Sequence, residues 1–282
     1  MPRSVVWLAG RGVSLNCGLE WDVPAELYEA FKRGELPREA LARRISEELA
    51  RAQESAPIDT WPLDSLLLAL RKHGNQREWK HLFVTTNWDT VLDEVLQSHP
   101  AHEGVEATVA HLNGSIDDPS TLFTEADSRE ARDAAININA GFQNLLKAQV
   151  CVVVGISLSN ALDQELVARL GSRQDVPAAS GAWLVVNHAP EEVQRVCDVL
   201  REHLPRARLI PVTTPFDAWV RGGMPELREL GVIYREVVNM PGKPQQQQQQ
   251  HQGPGGQHSR KQRGPRHDRK AARKTPRRHD GR

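Results

Sequence analysis

A doubly wound α/β fold built on a mainly parallel, six-stranded sheet is predicted by three features of the chain. Short apolar, β-rich runs recur six times, and four of them are nearly continuous in Val, Leu and Ile, as in parallel strands covered by helices on both faces. Segments with helical spacing separate the runs, so strand and helix alternate. A block of three successive helical candidates, residues 24–76, breaks that rhythm after the first run. It reads as a helical insertion that roofs a crevice at the sheet edge.

The first strand, residues 4–9, runs straight into Gly10-Arg11-Gly12-Val13-Ser14. Glycines at the carboxyl edge of a sheet let backbone amides approach a pyrophosphate without interference from Cβ. A tight turn explains two glycines equally well, and the third glycine of the full dinucleotide fingerprint is missing. The insertion follows, with helical candidates at 24–32, 37–53 and 62–73, each opening on a proline.

The second strand, 81–86, ends in Thr85-Thr86-Asn87-Trp88-Asp89 ahead of a helix over 89–97. This places Asn87 and Asp89 at the edge where open α/β sheets bind ligands, although either residue is also a good helix cap. The third strand, 107–112, ends in His111-Leu112-Asn113-Gly114-Ser115 and precedes a helix over 131–148. His111 and Asn113 are two apart, so on an extended strand they share a face, offset by about 6.5 Å. A histidine near a strand end also serves as a structural hydrogen-bonder.

The fourth strand, 150–154, delivers Gly155-Ile156-Ser157-Leu158-Ser159-Asn160 to the same edge, with a helix over 160–171 behind it. The fifth, 182–186, ends in Asn187 before a helix over Pro190–His203, whose Glu191 and Glu192 suit the positive end of its dipole. Ser157 and Asn187 are small polar groups suited to ribose hydroxyls and phosphate. Ser159 also reads as a helix cap and Asn187 as a turn residue. The sixth strand covers 208–212.

The 282 residues are 39% apolar and 26% charged, enough to bury a full α/β core. No apolar run approaches the roughly 18 residues of a spanning helix, and strand structure starts too early for a secretory signal. These features predict a cytoplasmic protein with no membrane partner. Cys17, Cys151 and Cys197 are far apart with no Cys-x-x-Cys pair, so they read as buried thiols rather than zinc ligands, and no metal is expected.

The net charge of zero conceals an asymmetry. Residues 257–282 hold 11 Lys or Arg and two Asp, a sum of +9, leaving 25 basic and 34 acidic residues elsewhere, a sum of −9. After Met240 come Pro241-Gly242-Lys243-Pro244 and six glutamines, then Gly, Pro, His, Lys and Arg with almost no apolar residue. That composition predicts a disordered Gln-rich, basic tail over 241–282 behind a folded domain over 1–240. The cationic stretch 257–282 suits nucleic-acid phosphates, or it is a solubilising extension; with no aromatic residue it offers no base stacking.

Five of these blocks, in this order, resemble the sirtuin family, especially its zinc-free bacterial NAD-hydrolysing branch. Gly10-Arg11-Gly12-Val13-Ser14 with Gly18-Leu19 is similar to the family's Gly-Ala-Gly-x-Ser…Gly-Ile-Pro phosphate loop. Thr85-Thr86-Asn87-Trp88-Asp89 resembles its Thr-Thr-Asn-Tyr-Asp block, Gly155-Ile156-Ser157-Leu158 its Gly-Thr-Ser-Leu ribose loop, and Val185-Val186-Asn187 the strand whose Asn meets the adenosine ribose. The third block, Leu112-Asn113-Gly114, stands where the family has Leu-His-Gly with a catalytic histidine; the nearest imidazole is His111. Arg11 and Glu20 also depart from the pattern.

The resemblance implies a Rossmann-like domain that takes NAD as substrate, cleaves it to nicotinamide and ADP-ribose, and serves antiviral (anti-phage) defence. It assigns Asn87, Asp89 and His111 or Asn113 to catalysis, and Gly10, Arg11, Gly12, Ser14, Gly155, Ser157 and Asn187 to the dinucleotide. A homo-oligomer or a partner effector belongs to the same expectation. Since Asn cannot take a proton at neutral pH, either His111 substitutes as base or the chain is a catalytically weak or inactive sensor of NAD or ADP-ribose. Protein deacylation ranks below both, because the four-cysteine zinc module of deacylating sirtuins is absent from the sequence.

Overall fold

The computed structural model describes residues 2–99, 102–124, 126–187 and 189–234, all within one unit, Met1–Pro244. The tail expected over 241–282, with its nucleic-acid stretch, lies outside the described residues.

Six strands form one sheet: β1 (Arg3–Ala9), β2 (Trp79–Thr85), β3 (Val105–His111), β4 (Val150–Val154), β5 (Ala182–Val186) and β6 (Arg208–Val212), in the spatial order β3-β2-β1-β4-β5-β6. Every adjacent pair is parallel. This is the Rossmann-like order, in which the chain reverses direction across the sheet between β1 and β4 and opens a crevice at their carboxyl ends.

The sequence pattern explains which strands are central. The four runs richest in Val, Leu and Ile are β1, β2, β4 and β5, and β4 is buried along its whole length. The outer strands β3 and β6 alternate or expose residues, as edges do. Along β1, Val5, Trp7 and Ala9 enter one core and Val6 and Leu8 the other, the period-2 alternation of a strand covered on both faces.

Helices α1 (Arg11–Asn16), α2 (Ala25–Lys32), α3 (Arg38–Ser55), α4 (Trp61–His73) and α5 (Val91–Ser98) lie in the first half of the chain. Next come α6 (Arg129–Ile138), α7 (Ala140–Lys147), α8 (Ala161–Gly171), α9 (Pro190–His203), α10 (Phe216–Arg221) and α11 (Pro225–Glu229). Leu63, Leu66, Leu67 and Leu70 of α4 join Trp7 and Phe83 in a sheet core. The last helix of the 24–76 block is therefore the crossover helix between β1 and β2. Leu27 of α2 and Leu41, Ala42 and Ile45 of α3 form a smaller core with Leu122, and these two helices alone make the roof.

The single helix expected over 131–148 is two. Asn139 ends α6 and caps α7: its Oδ1 accepts from the amides of Gly141 (2.8 Å) and Phe142 (3.3 Å), while its Nδ2 donates to the His111 carbonyl (2.8 Å). An Asn with local acceptor geometry competes with the helical ladder and restarts it as a second helix. Helices α1, α10 and α11 have only five or six residues, too short for the 3.6-residue period to register in sequence.

His81 sits fully buried in β2, where its Nδ1 accepts from Trp7 Nε1 at 3.1 Å. Its proton is therefore on Nε2, which has no hydrogen-bond partner. Burial pushes its pKa from 6.5 down to about 4. A folded-state pKa below the unfolded one means the histidine favours folding fully above pH 6.5 and loses that contribution as pH falls toward 4. We expect a loss of about 2 kcal/mol of unfolding free energy between pH 7 and pH 5 from this group. Denaturant titrations of wild type and His81→Gln should show the loss only in wild type; equal slopes with pH would refute it.

Candidate functional site

The carboxyl ends of β1, β2, β4 and β5 and the roof helices enclose a crevice of about 670 Å³, within the range of small-molecule sites. Arg11, Gly12 and Ser14 reach it from α1, Asn87 and Asp89 from the loop after β2, and Asn113 from the loop after β3. Gly155 and Ser157 come from the loop after β4, and Asn187 from the end of β5. Trp21, Asp22 and Tyr28 close the roof side, and Leu49 of α3 adds an apolar wall.

Two candidates do not line it. Gly10 is turned into the structure, its amide donating to the Val154 carbonyl at 2.9 Å. The Gly12 amide likewise donates to the Gly155 carbonyl at 2.8 Å. The two glycines therefore serve the close crossing of two backbones: a Cβ on Gly12 would lie 2.7 Å from Gly155 Cα, and one on Gly10 2.4 Å from Ile156 Cγ1. The amides of Gly10 and Gly12 are spent on the fold, contrary to their expected approach to a pyrophosphate.

His111 is the second. Its Nδ1 lies 3.0 Å from the Asn87 carbonyl and its Nε2 2.9 Å from Asp93 Oδ2. Burial works to lower its pKa, but the hydrogen bond and charge of Asp93, with the Asn87 carbonyl and the charge of Asp89, outweigh it and the pKa is raised. Both nitrogens thus face fixed acceptors, and the ring anchors the Asn87 loop to α5. His111 and Asn113 diverge because the strand ends at His111; Asn113 Nδ2 instead donates to the Thr86 carbonyl at 2.9 Å.

Asn87, Ser14 and Asp89 form a chain. Asn87 Nδ2 donates to the Gly10 carbonyl (3.2 Å) and Ser14 Oγ (2.9 Å), and Ser14 Oγ donates to Asp89 at 2.9 and 2.8 Å. A carbonyl only accepts, so the amide orientation is fixed. Both N–H groups are used, and Oδ1 is the atom that can accept from a water or hydroxyl. Burial raises the pKa of Asp89, against the hydrogen bonds from Ser14 and the Val91 amide and the charge of His111. That amide, of the first residue of α5, lies 3.2 Å from Asp89 Oδ1, whereas the N-cap itself is Thr90, with no side-chain cap.

The loop after β4 is tightly wound, with Gly155 at φ +66° and the buried Leu158 at φ +53°. Such a backbone is strained for a non-glycine residue. It brings the hydroxyls of Ser157 and Ser159 within 2.6 Å, while Asn160, not Ser159, caps α8 through the Asp163 amide (2.8 Å). Asn187 Nδ2 donates to the Ile156 carbonyl at 3.3 Å. At the rim, Arg11 pairs with Asp22 and Arg195 with Glu192, each at 2.5 Å, and Arg195 also donates to the Ser157 carbonyl.

Sequence reading missed Asp163, Glu192 and Arg195, which all line the crevice. Asp163 and Glu192 are acids in the first turn of a helix, a position that the dipole alone explains, so their residue type carried no separate signal. Among the described residues there is no cluster of three or more His, Cys, Asp or Glu placed to hold a metal ion. No helix among them is long and apolar enough to cross a membrane. The three cysteines are buried, and burial with nearby acids pushes the Cys17 thiol up to about 12.

No protein-family model matches the chain, and no curated protein matches it. A solved structure from work on the structural basis for the mechanism and regulation of Sir2 enzymes aligns with it at 15% identity, over 81% of this chain and 94% of that one, with a TM-score of 0.45.

Proposed function

We propose that the chain is a sirtuin-like NAD hydrolase, cleaving NAD to nicotinamide and ADP-ribose. The observation that carries this reading is convergence: Gly12, Asn87, Asn113, Ser157 and Asn187, separated by up to 175 positions in sequence, line one crevice at the switch point of a Rossmann-like sheet. That location and volume suit a dinucleotide lying across the carboxyl ends of the strands.

Breaking the nicotinamide–ribose bond develops positive charge on the ribose, by analogy with glycoside hydrolysis. Asn87 Oδ1 is oriented to accept from the attacking water or a ribose hydroxyl, and the Ser14–Asp89 pair behind it holds that orientation. By the family resemblance, Ser157 and Asn187 serve the ribose at the adenosine end, and the reaction takes place in the cytoplasm as an anti-phage defence that depletes NAD.

A second reading, a sensor that binds NAD or ADP-ribose without turnover, is favoured by Asn113 and by the engagement of His111 away from the crevice. One assay separates the two. Purified protein with NAD should release nicotinamide and ADP-ribose in equal amounts, and calorimetry should show ADP-ribose binding. Binding without turnover supports the sensor; neither binding nor turnover removes both readings.

A further inference from the structure

NAD hydrolysis needs a group that takes a proton, and few candidates in the crevice are open to do so. Asn87 and Asn113 are carboxamides and do not titrate. His111 is outside the lining with both ring nitrogens facing acceptors. Both Asp89 oxygens accept from Ser14, and Oδ1 also accepts from the Val91 amide. Asp22 and Glu192 are held by arginines at the exposed rim.

Asp163 differs from all of these. It lies in the first turn of α8, is 5% exposed and lines the crevice. Its Oδ2 accepts from Asn160 Nδ2 at 2.8 Å, which fixes the carboxylate, while Oδ1 is buried and has no hydrogen-bond partner. A buried carboxylate oxygen without a partner is costly unless something else fills that place. The Thr86 side chain lies beside the carboxylate and favours its charged form, and the Thr86 carbonyl holds Asn113. Asp163 therefore flanks the same part of the crevice as Asn113.

Resting on the hydrolase reading, we propose that Asp163 Oδ1 is the catalytic proton acceptor of this site, in place of an imidazole. The oxygen of water forms a bond to the ribose carbon C1′ as the bond from C1′ to the nicotinamide nitrogen breaks, and that electron pair neutralises the pyridinium. The proton lost by the water passes to Asp163 Oδ1 and then to solvent, so the products are nicotinamide, ADP-ribose and H⁺.

Burial pushes the Asp163 carboxyl from its ordinary 3.8 up to about 6, against the opposing effects of Asn160 and Thr86, and no charged side chain among the described residues contributes to the shift. A base with that value is ionised at pH 7.5 and still basic enough to accept a proton. The helix dipole at the first turn of α8 keeps the ionised form accessible despite burial.

The test uses full-length protein, NAD as substrate and ADP-ribose as the binding probe. Asp163→Asn should lower nicotinamide release by about 10²- to 10⁴-fold, the usual contribution of a general base, with ADP-ribose affinity within a few-fold of wild type. Asp163→Ala should be equally slow and regain activity with added formate, a response that a purely structural carboxylate does not give. Asp163→Asn retaining half or more of the wild-type rate overturns the proposal, and so does loss of ADP-ribose binding in both variants without formate rescue. Wild-type protein that binds ADP-ribose but releases no nicotinamide overturns it in favour of the sensor. Wild-type protein that does neither removes the hydrolase reading itself and this inference with it.

Discussion

Asn87→Ala is expected to reduce nicotinamide release by roughly 10²- to 10³-fold, the effect of deleting one preorganised polar contact at a reacting centre. The side chain is positioned by two donated hydrogen bonds, to the Gly10 carbonyl and Ser14 Oγ, and in the proposed hydrolysis its carbonyl oxygen accepts from the incoming water. Removing it also leaves Ser14 Oγ with only its donation to Asp89. Asn87 is half-buried at the end of β2 rather than packed in a core, so the variant should fold. Circular dichroism and a thermal melt check that point, and ADP-ribose binding should fall far less than the rate. A rate within threefold of wild type would take Asn87 out of the mechanism.

Gly12→Val is expected to disable the site from the opposite side, by geometry alone. Any Cβ at position 12 would lie 2.7 Å from Gly155 Cα and 2.8 Å from Gly155 O, and both are backbone atoms that no rotamer change can move. The start of α1 and the loop after β4 must separate, breaking the 2.8 Å bond from the Gly12 amide to the Gly155 carbonyl. Overpacking of this kind costs about 1–3 kcal/mol, and in a folded unit of this size each kcal/mol lowers Tm by about 2–4 °C. The functional loss should be larger than the stability loss, since Ser14 rides on α1 and Ser157 on the loop after β4, the two displaced segments. A differential scanning measurement beside ADP-ribose calorimetry reads both, with at least a tenfold loss of affinity expected. Unchanged affinity with a lowered Tm would show that the crossing serves stability only.

The glycines at 10 and 12 stand out in the sequence, yet their purpose is visible only in the contact with the loop 145 positions later. Read locally, they suggest amides facing a phosphate; in the fold, the amides of both are bonded to β4 and its loop. Asn87 was legible because it follows a strongly apolar strand, and a polar residue at the carboxyl end of such a strand falls at the sheet edge in any parallel α/β fold. His111 also stands at the end of a strand, and the structure turns it toward α5 because Asp93 and the Asn87 carbonyl offer its ring two acceptors. Asp163 gave no local signal, since an acid in the first turn of a helix is ordinary.

Local patterns in the chain were enough to set the six strands, their parallel arrangement and the edge at which polar residues gather. Burial periodicity and strand–helix alternation are local properties, and each run of apolar residues records whether one face or two are covered. Which polar atoms face the crevice and which are consumed in holding it together follows from the assembled fold. It depends on hydrogen bonds between residues some 75 to 145 positions apart, such as Ser14 with Asp89 and Gly12 with Gly155. No short window of sequence contains both partners of such a bond.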